Sequence, residues 1–311
     1  MRAVWLREFG GPEVLVPGEA PDPVPGPGQV LVEVVFANTT FVETQFRAGA
    51  PGPFRAALPV IPGNGVGGVI SAVGAGVDPG LAGQRVVTST GGSGGYAERV
   101  AVDAAAVFEV PPALSLDAAV ALLADGRTAT GLVHATRVRP GDRVLVEAAA
   151  GGVGGLLVQL AKAAGATVIA AAGGPAKVAH VLGADAVADY LRPDWTSSVG
   201  PVDVVFDGVG GAIGTAAFGL LRPGGRMAVY GLAGGSWAEV SEEDAAARGV
   251  SLVRSIGEPA QLRAFTESAL AAAATGSLVP VIGQRFPLEK AADAHAAIES
   301  RATVGKTLLV T

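Results

Sequence analysis

The segment Glu147-Ala-Ala-Ala-Gly-Gly-Val-Gly-Gly155 constrains this chain more than any other. It follows the apolar run Arg143-Val-Leu-Val146 and leads into Leu156-Leu-Val-Gln-Leu-Ala161, so it reads as strand, glycine turn, helix. Glycines permit a tight turn and let the backbone approach a pyrophosphate. The N–H groups and positive dipole end of the following helix then hold the anion. The spacing is Ala148-x-x-Gly151-x-x-Gly154, an Ala-first form of the dinucleotide fingerprint, with Gly152 and Val153 at its centre. The competing reading is a purely structural turn, and with 46 glycines in the chain a glycine-rich turn alone is weak. The strand before and the helix after decide for a cofactor loop.

The surroundings extend this pattern. Helices are expected at Leu116–Ala124 and Thr128–Thr136, then strand Arg143–Glu147, helix Val153–Ala164, strand Thr167–Ala171 and helix Ala176–Leu182. Strands Val202–Phe206 and Arg226–Tyr230 follow, with helix Ile213–Leu221 between them. Alternation of this kind builds a doubly wound parallel sheet. The first 115 residues read differently, as short β-branched runs such as Val30–Phe36 and Arg85–Thr88 between Pro/Gly clusters. Gly63–Gly76 is expected to be a glycine-dense strand pair, its glycines marking close approach of another backbone. β character returns after Ser277, with Val279–Phe286, helix Leu288–Ser300 and strand Thr307–Val310. The fold expected is α/β. Residues 116–277 form a Rossmann domain, and residues 1–115, completed by 278–311, form a partly open β-barrel domain. Active sites of such proteins sit in the cleft between domains.

Composition narrows the partners. Half the residues are hydrophobic and the net charge is −6, which supplies core material but no basic footprint for nucleic acid. The start Met1-Arg-Ala-Val-Trp-Leu-Arg-Glu8 places charges where a signal peptide needs an apolar run. Leu156–Ala172, the most apolar stretch, is interrupted by Gln159 and Lys162, so it reads as buried helix and strand and not as a membrane span. A cytoplasmic enzyme is the expectation. There is no cysteine, and His134, His180 and His295 lack metal-ligand spacing, so no metal site is expected.

The second strand of the Rossmann pattern bears on the cofactor. An NAD site carries an acid about 20 residues on, hydrogen-bonded to the ribose 2′-hydroxyl. Here the strand runs into Ala172-Gly-Gly-Pro-Ala-Lys177 without one. Gly173 and Gly174 leave space, and Lys177 places a positive charge beside a 2′-phosphate; the plainer reading of Lys177 is a solvated lysine at a helix start. The balance favours NADPH.

Much of the chain resembles the zinc-independent quinone oxidoreductase branch of the medium-chain dehydrogenase/reductase superfamily. The resemblance is carried by Phe9-Gly-Gly-Pro-Glu-Val-Leu15, Pro27-Gly-Gln-Val-Leu-Val32, Pro62-Gly63 through Gly74, and Gly94-Gly-Tyr-Ala-Glu98. Pro140–Val146, the cofactor loop, Leu182-Gly-Ala-Asp185, Leu221-Arg-Pro-Gly-Gly225 and Gly305-Lys306 continue it in order. It implies a GroES-like barrel domain beside the Rossmann domain, and a homodimer. It also implies that Gly173, Lys177 and Tyr190 hold the 2′-phosphate of NADPH, and that Thr128, Gly152, Val153, Tyr230, Gly231 and Ser255 line the rest of the cofactor path. From sequence alone Tyr190 is only an aromatic at a strand end.

Three departures stand out. The family's Asn-Phe-x-Asp-x-Tyr corresponds to Thr40-Phe-Val-Glu-Thr-Gln45, so Thr40 replaces Asn and Gln45 replaces Tyr. Gly65 stands where an acid usually follows Pro-Gly-x. In the usual Gly-Leu-Thr-Ala, Leu is Arg127, preceded by Asp125 and Gly126. Such an enzyme delivers hydride to the electron-poor carbon of a quinone or conjugated carbonyl, so donors aimed at the carbonyl oxygen lower the barrier. Thr40 and Gln45 are candidate donors and Arg127 a candidate cation, with an Asp125 ion pair or a cofactor phosphate as equal alternatives for Arg127. Substrate is expected between Thr40–Gln45 and the nicotinamide, with Asp125–Arg127 nearby. Three functions stay open: a broad NADPH-dependent quinone or enone reductase, a dedicated enoyl reductase of a polyketide-like pathway, and a catalytically silent nucleotide-binding scaffold.

Overall fold

The computed structural model describes residues 1–52 and 54–311. The chain divides into two compact units, Met1–Ala124 with Leu270–Thr311, and Asp125–Ala269.

In the first unit, β1 (Arg2–Leu6) pairs antiparallel with β2 (Leu15–Glu19). β3 (Gln29–Thr39) is the longest strand of a seven-stranded sheet, and α1 (Phe41–Arg47) follows it directly. β4 (Gly65–Val73) pairs antiparallel along β3, β5 (Arg85–Ser89) pairs with β4, β6 (Arg99–Asp103) with β3, and β7 (Val107–Glu109) with β5. Val4, Leu6, Val30, Val32, Val34 and Ile70 lie in its core, the period-2 alternation of β3 placing Val30, Val32 and Val34 on one face. The glycine-dense segment is one strand, not the expected pair. A Cβ on Gly68 would lie 1.9 Å from Glu33 O, and one on Gly67 2.3 Å from Val120 Cγ2. These glycines therefore mark close packing against a neighbouring strand and helix, not a reversal of the chain.

α2 (Leu116–Thr136) is one continuous helix where two were expected. A single interior glycine costs a helix only about 1 kcal/mol. The buried run Ala119–Leu123 and the buried Ala129 and Leu132 on either side of Gly126 outweigh that cost. The boundary between the compact units falls inside this helix, because its first turns pack on β4.

The second unit continues with β8 (Arg143–Val146), α3 (Gly152–Ala163), β9 (Thr167–Ala172), α4 (Pro175–Val178), β10 (Ala186–Asp189) and α5 (Trp195–Val199). Then come β11 (Val202–Asp207), α6 (Gly211–Gly219), β12 (Leu221–Val229), α7 (Glu242–Ala247), β13 (Ser251–Val253) and α8 (Pro259–Ala274). The six strands are parallel in the order β10-β9-β8-β11-β12-β13. That is the doubly wound arrangement in which the strand order reverses between β8 and β11, where such sheets bind ligands. α4 is shorter than the expected Ala176–Leu182: His180 N and Val181 N bond to carbonyls three residues back, and Gly183 turns the chain at φ +78°. β10, β13, α7 and α8 carry too weak a periodic signal to be read from sequence.

The chain then returns to the first unit with β14 (Ile282–Pro287), α9 (Ala291–Glu299) and β15 (Lys306–Val310), which pairs antiparallel with β3. Among the described residues, no helix is long and apolar enough to cross a membrane.

Candidate active site

The cofactor loop leaves β8 through Ala148, which adopts φ +50°. This is the left-handed region that glycine enters without strain, and a residue with a Cβ pays roughly 1–2 kcal/mol there. Gly151 N closes the turn on Ala148 O at 2.8 Å. The first bond of α3 is Gly155 N to Gly151 O, 3.0 Å, so the N–H groups of Gly152 and Val153 precede the helical ladder and point out of its first turn. Gly154 admits no side chain, since a Cβ would sit 2.3 Å from Ala148 O. Loop and helix start are thus pressed together at the point where the strand order reverses.

One strand over, β9 leads into Gly173 and Gly174. A Cβ on Gly173 would meet the Tyr190 ring at 2.8 Å, so the structure brings Gly173 and Tyr190 into contact. Lys177 lies one turn on, in α4. Sequence reading missed Asp189, the last residue of β10. Its Oδ1 accepts from Gly174 N at 2.8 Å and Leu191 N at 3.0 Å, fixing the turn that carries Gly173. The acid is on the neighbouring strand, so a search along the second strand passes over it.

Tyr230 and Gly231 follow β12, and both backbone N–H groups donate to Asp207 O, at 3.0 and 3.2 Å. A Cβ on Gly208 would meet the Tyr230 hydroxyl at 2.6 Å. Burial, then the charge of Asp207, raises the Tyr230 hydroxyl well above the ordinary tyrosine range, so it stays a hydrogen-bond donor. Thr128 is half-buried in α2, and Ser255 is exposed, its Oγ accepting from Gly257 N at 3.2 Å. Arg127 is half-buried in the same helix; burial lowers its guanidinium below the ordinary value, opposed by the charge of Asp125.

In the first unit Thr40 is the N-cap of α1 and Gln45 is half-buried within that helix. Glu43 N donates to Thr40 Oγ (3.4 Å), Thr40 N donates to Glu43 Oε2 (2.6 Å), and Thr40 Oγ lies 3.0 Å from the same oxygen. This is a capping box. Thr-x-x-Glu is its sequence signature, so it was legible and went unread. The Thr40 hydroxyl hydrogen is therefore engaged with Glu43, which changes the role open to Thr40 from a free donor to a cap that aims α1. Glu43 is buried, and its Oε1 also accepts from Asn64 N at 2.7 Å.

The glycine cradle, the open first turn of α3 and the Gly173–Tyr190 contact fit a dinucleotide. For a metal the donor set is poor: the chain has no cysteine, and among the described residues no group of three or more His, Asp or Glu is placed to hold an ion.

Comparison with known proteins gives the same architecture. The family described as alcohol dehydrogenase GroES-like domain matches residues 26–112, and that described as zinc-binding dehydrogenase matches residues 182–309. The human quinone oxidoreductase is 33% identical over 326 residues, covering 100% of this chain and 98% of the relative. A 2-haloacrylate reductase from a Burkholderia species is 32% identical, covering 99% of this chain and 98% of the relative. The crystal structure of Escherichia coli quinone oxidoreductase complexed with NADPH superposes at a TM-score of 0.90, with 29% identity and complete coverage of both chains. A Rossmann unit with a GroES-like unit and a built dinucleotide loop defines the medium-chain oxidoreductases. The chain belongs to the quinone oxidoreductase branch of the medium-chain dehydrogenase/reductase superfamily.

Proposed function

We propose that this chain is an NADPH-dependent reductase of quinones or α,β-unsaturated carbonyls that works without zinc. The observation that carries the reading is the second unit's phosphate end: Gly173 packed on Tyr190, Lys177 one turn on, and no acid closing β9. NADPH, when bound, supplies the hydride. Gly152 and Val153 would hold its pyrophosphate by backbone N–H groups at the turn Gly151 closes, Gly173, Lys177 and Tyr190 would take the 2′-phosphate, and Thr128, Tyr230, Gly231 and Ser255 would serve the remainder. The E. coli quinone oxidoreductase crystallised with NADPH supports NADPH as the cofactor.

Within the first unit, Gln45 is the candidate amide N–H donor to the carbonyl oxygen that gains charge, and Thr40 aims its helix through the capping box. Arg127, poorly solvated and steadied by Asp125, supplies positive charge. The human quinone oxidoreductase and the 2-haloacrylate reductase support activated double bonds and quinones as the substrate class. The chain has no cysteine, and among the described residues no group of three or more His, Asp or Glu is placed to hold zinc, which supports a reading without it. A homodimer in the cytoplasm is part of the same reading.

The test is oxidation of NADPH by small quinones and by enones, followed at the cofactor's absorbance, with and without chelator. Turnover that survives chelation supports the proposal. Activity confined to one bulky enone redirects it to a dedicated enoyl reductase, and binding of NADPH without turnover on any acceptor leaves only a nucleotide-binding scaffold.

A further inference from the structure

β8 and β11 are neighbours across the reversal of strand order, and each ends on a carboxylate: Glu147 directly after β8, Asp207 as the last residue of β11. Glu147 N donates to Phe206 O at 3.0 Å, which sets the two side by side. Both side chains are completely buried. Asp207 Oδ1 accepts from Val209 N at 3.0 Å and Gly210 N at 2.6 Å. Asp207 Oδ2 and both oxygens of Glu147 have no donor. The packing is tight, for a Cβ on Gly214 would lie 2.5 Å from Asp207 Oδ2.

Two buried carboxylates within hydrogen-bonding reach cannot both ionise without a cation, and none acts on Glu147. The other ionisable groups gathered here are Tyr230, whose hydroxyl is acted on by Glu147, Asp207, Asp125 and Tyr190, and Arg127, on which the charge of Asp125 acts. Asp207, with two backbone donors, takes the charge. We propose that Glu147 is a positioning residue of the dinucleotide site: it carries a proton, donates it to Asp207 Oδ2, and so ties the loop opening α3 to the loop at 208–211. What it positions rests on the NADPH reading; the proton itself does not. Burial first, then the charge of Asp207, pushes the Glu147 carboxyl well above the ordinary glutamate range. For such a group the native-state contribution is complete below the unfolded value and is lost as pH rises through the raised native value.

The experiment compares native protein with Glu147→Gln, whose amide donates to Asp207 at every pH, and with Glu147→Ala, which donates nothing. NADPH affinity and apoprotein melting temperature are measured from mildly acidic to alkaline pH, with difference infrared spectroscopy of native protein against Glu147→Gln. A protonated-carboxyl band is expected, present only in the native protein. Native affinity should fall by up to about tenfold per pH unit on the limb where pH rises through the raised Glu147 value, the limit for one linked proton. Glu147→Gln should hold its affinity and melting temperature flat over that limb, and Glu147→Ala should be weak throughout. Absence of the band, or a Glu147→Gln protein with the native pH dependence, overturns the proton. Affinity equal in all three proteins overturns the positioning role. Native protein that binds no NADPH at any pH overturns the cofactor reading instead, while the band and the melting curves still decide the proton.

Discussion

The two units each bury an ionisable group in its neutral form, and they do so with opposite charge logic. In the first unit His295 is fully buried, its Nε2 2.9 Å from the Tyr96 hydroxyl, its ring edge-on to the tyrosine. Burial, helped by the charge of Arg47, lowers it from 6.5 to about 3. In the second unit Glu147 is buried against Asp207 and driven upward. A histidine kept neutral loses its native advantage as pH falls, and a carboxyl kept neutral loses it as pH rises. Burial alone does not set these states. Glu43 is as buried as Glu147 and burial raises it too, but backbone N–H groups of Asn64 and Thr40 and the charge of Lys306 oppose that rise. The partners decide.

The largest expected effect follows from His295. Its depressed native value means stability is complete above pH 6.5 and is lost as pH falls from there toward about 3. By linkage this amounts to about 5 kcal/mol at most. Denaturant unfolding across this range should show the loss, and His295→Gln should flatten it. Hydrogen exchange should open first-unit peptides around β3 and α9 earlier in acid than second-unit peptides around β8 and β11. Equal opening of both would break the contrast between the units.

Tyr96→Phe is next. It leaves His295 Nε2 without its partner in a dry site, a cost of about 1–3 kcal/mol. Urea unfolding should register it in full at neutral pH, with no change in the high-pH dependence expected from Glu147.

Thr40→Val removes the cap of α1 and should cost about 1 kcal/mol, within 0.5–2 for such caps. Thr40→Ser should restore both stability and turnover. Turnover lost with stability intact would return Thr40 to the role of a direct donor.

The smallest effect is expected at Ala148. Glycine there relieves the left-handed strain of about 1 kcal/mol, but frees the unfolded chain by a similar amount. A melting temperature within a degree or so of native is the expected outcome, and cofactor affinity should be unchanged.

What was legible in the sequence was what is local. The cofactor loop could be read because strand, glycines and helix follow one another within Arg143–Ala163, and the alternation around it gave the parallel sheet. α2 was split in two because Gly126 carries the letter of a breaker, while the burial that overrides it is visible only after folding. Asp189 and the Glu147–Asp207 pair were out of reach for a common reason: both depend on which strands lie side by side. Asp189 serves a turn on β9 from β10, and Glu147 meets an acid 60 residues away because β8 and β11 adjoin at the reversal. The Thr40 capping box was local and readable. It was overlooked because a substrate role, drawn from the family resemblance, occupied the same residue.

The central claim is the cofactor, and it is tested most directly by titrating native protein and Lys177→Ala with NADPH and with NADH, following fluorescence to obtain four dissociation constants. The account predicts that native protein prefers NADPH, and that Lys177→Ala loses most of this preference through weaker NADPH binding while NADH is unaffected. Equal native affinities for the two, or a preference that survives intact in Lys177→Ala, would contradict it.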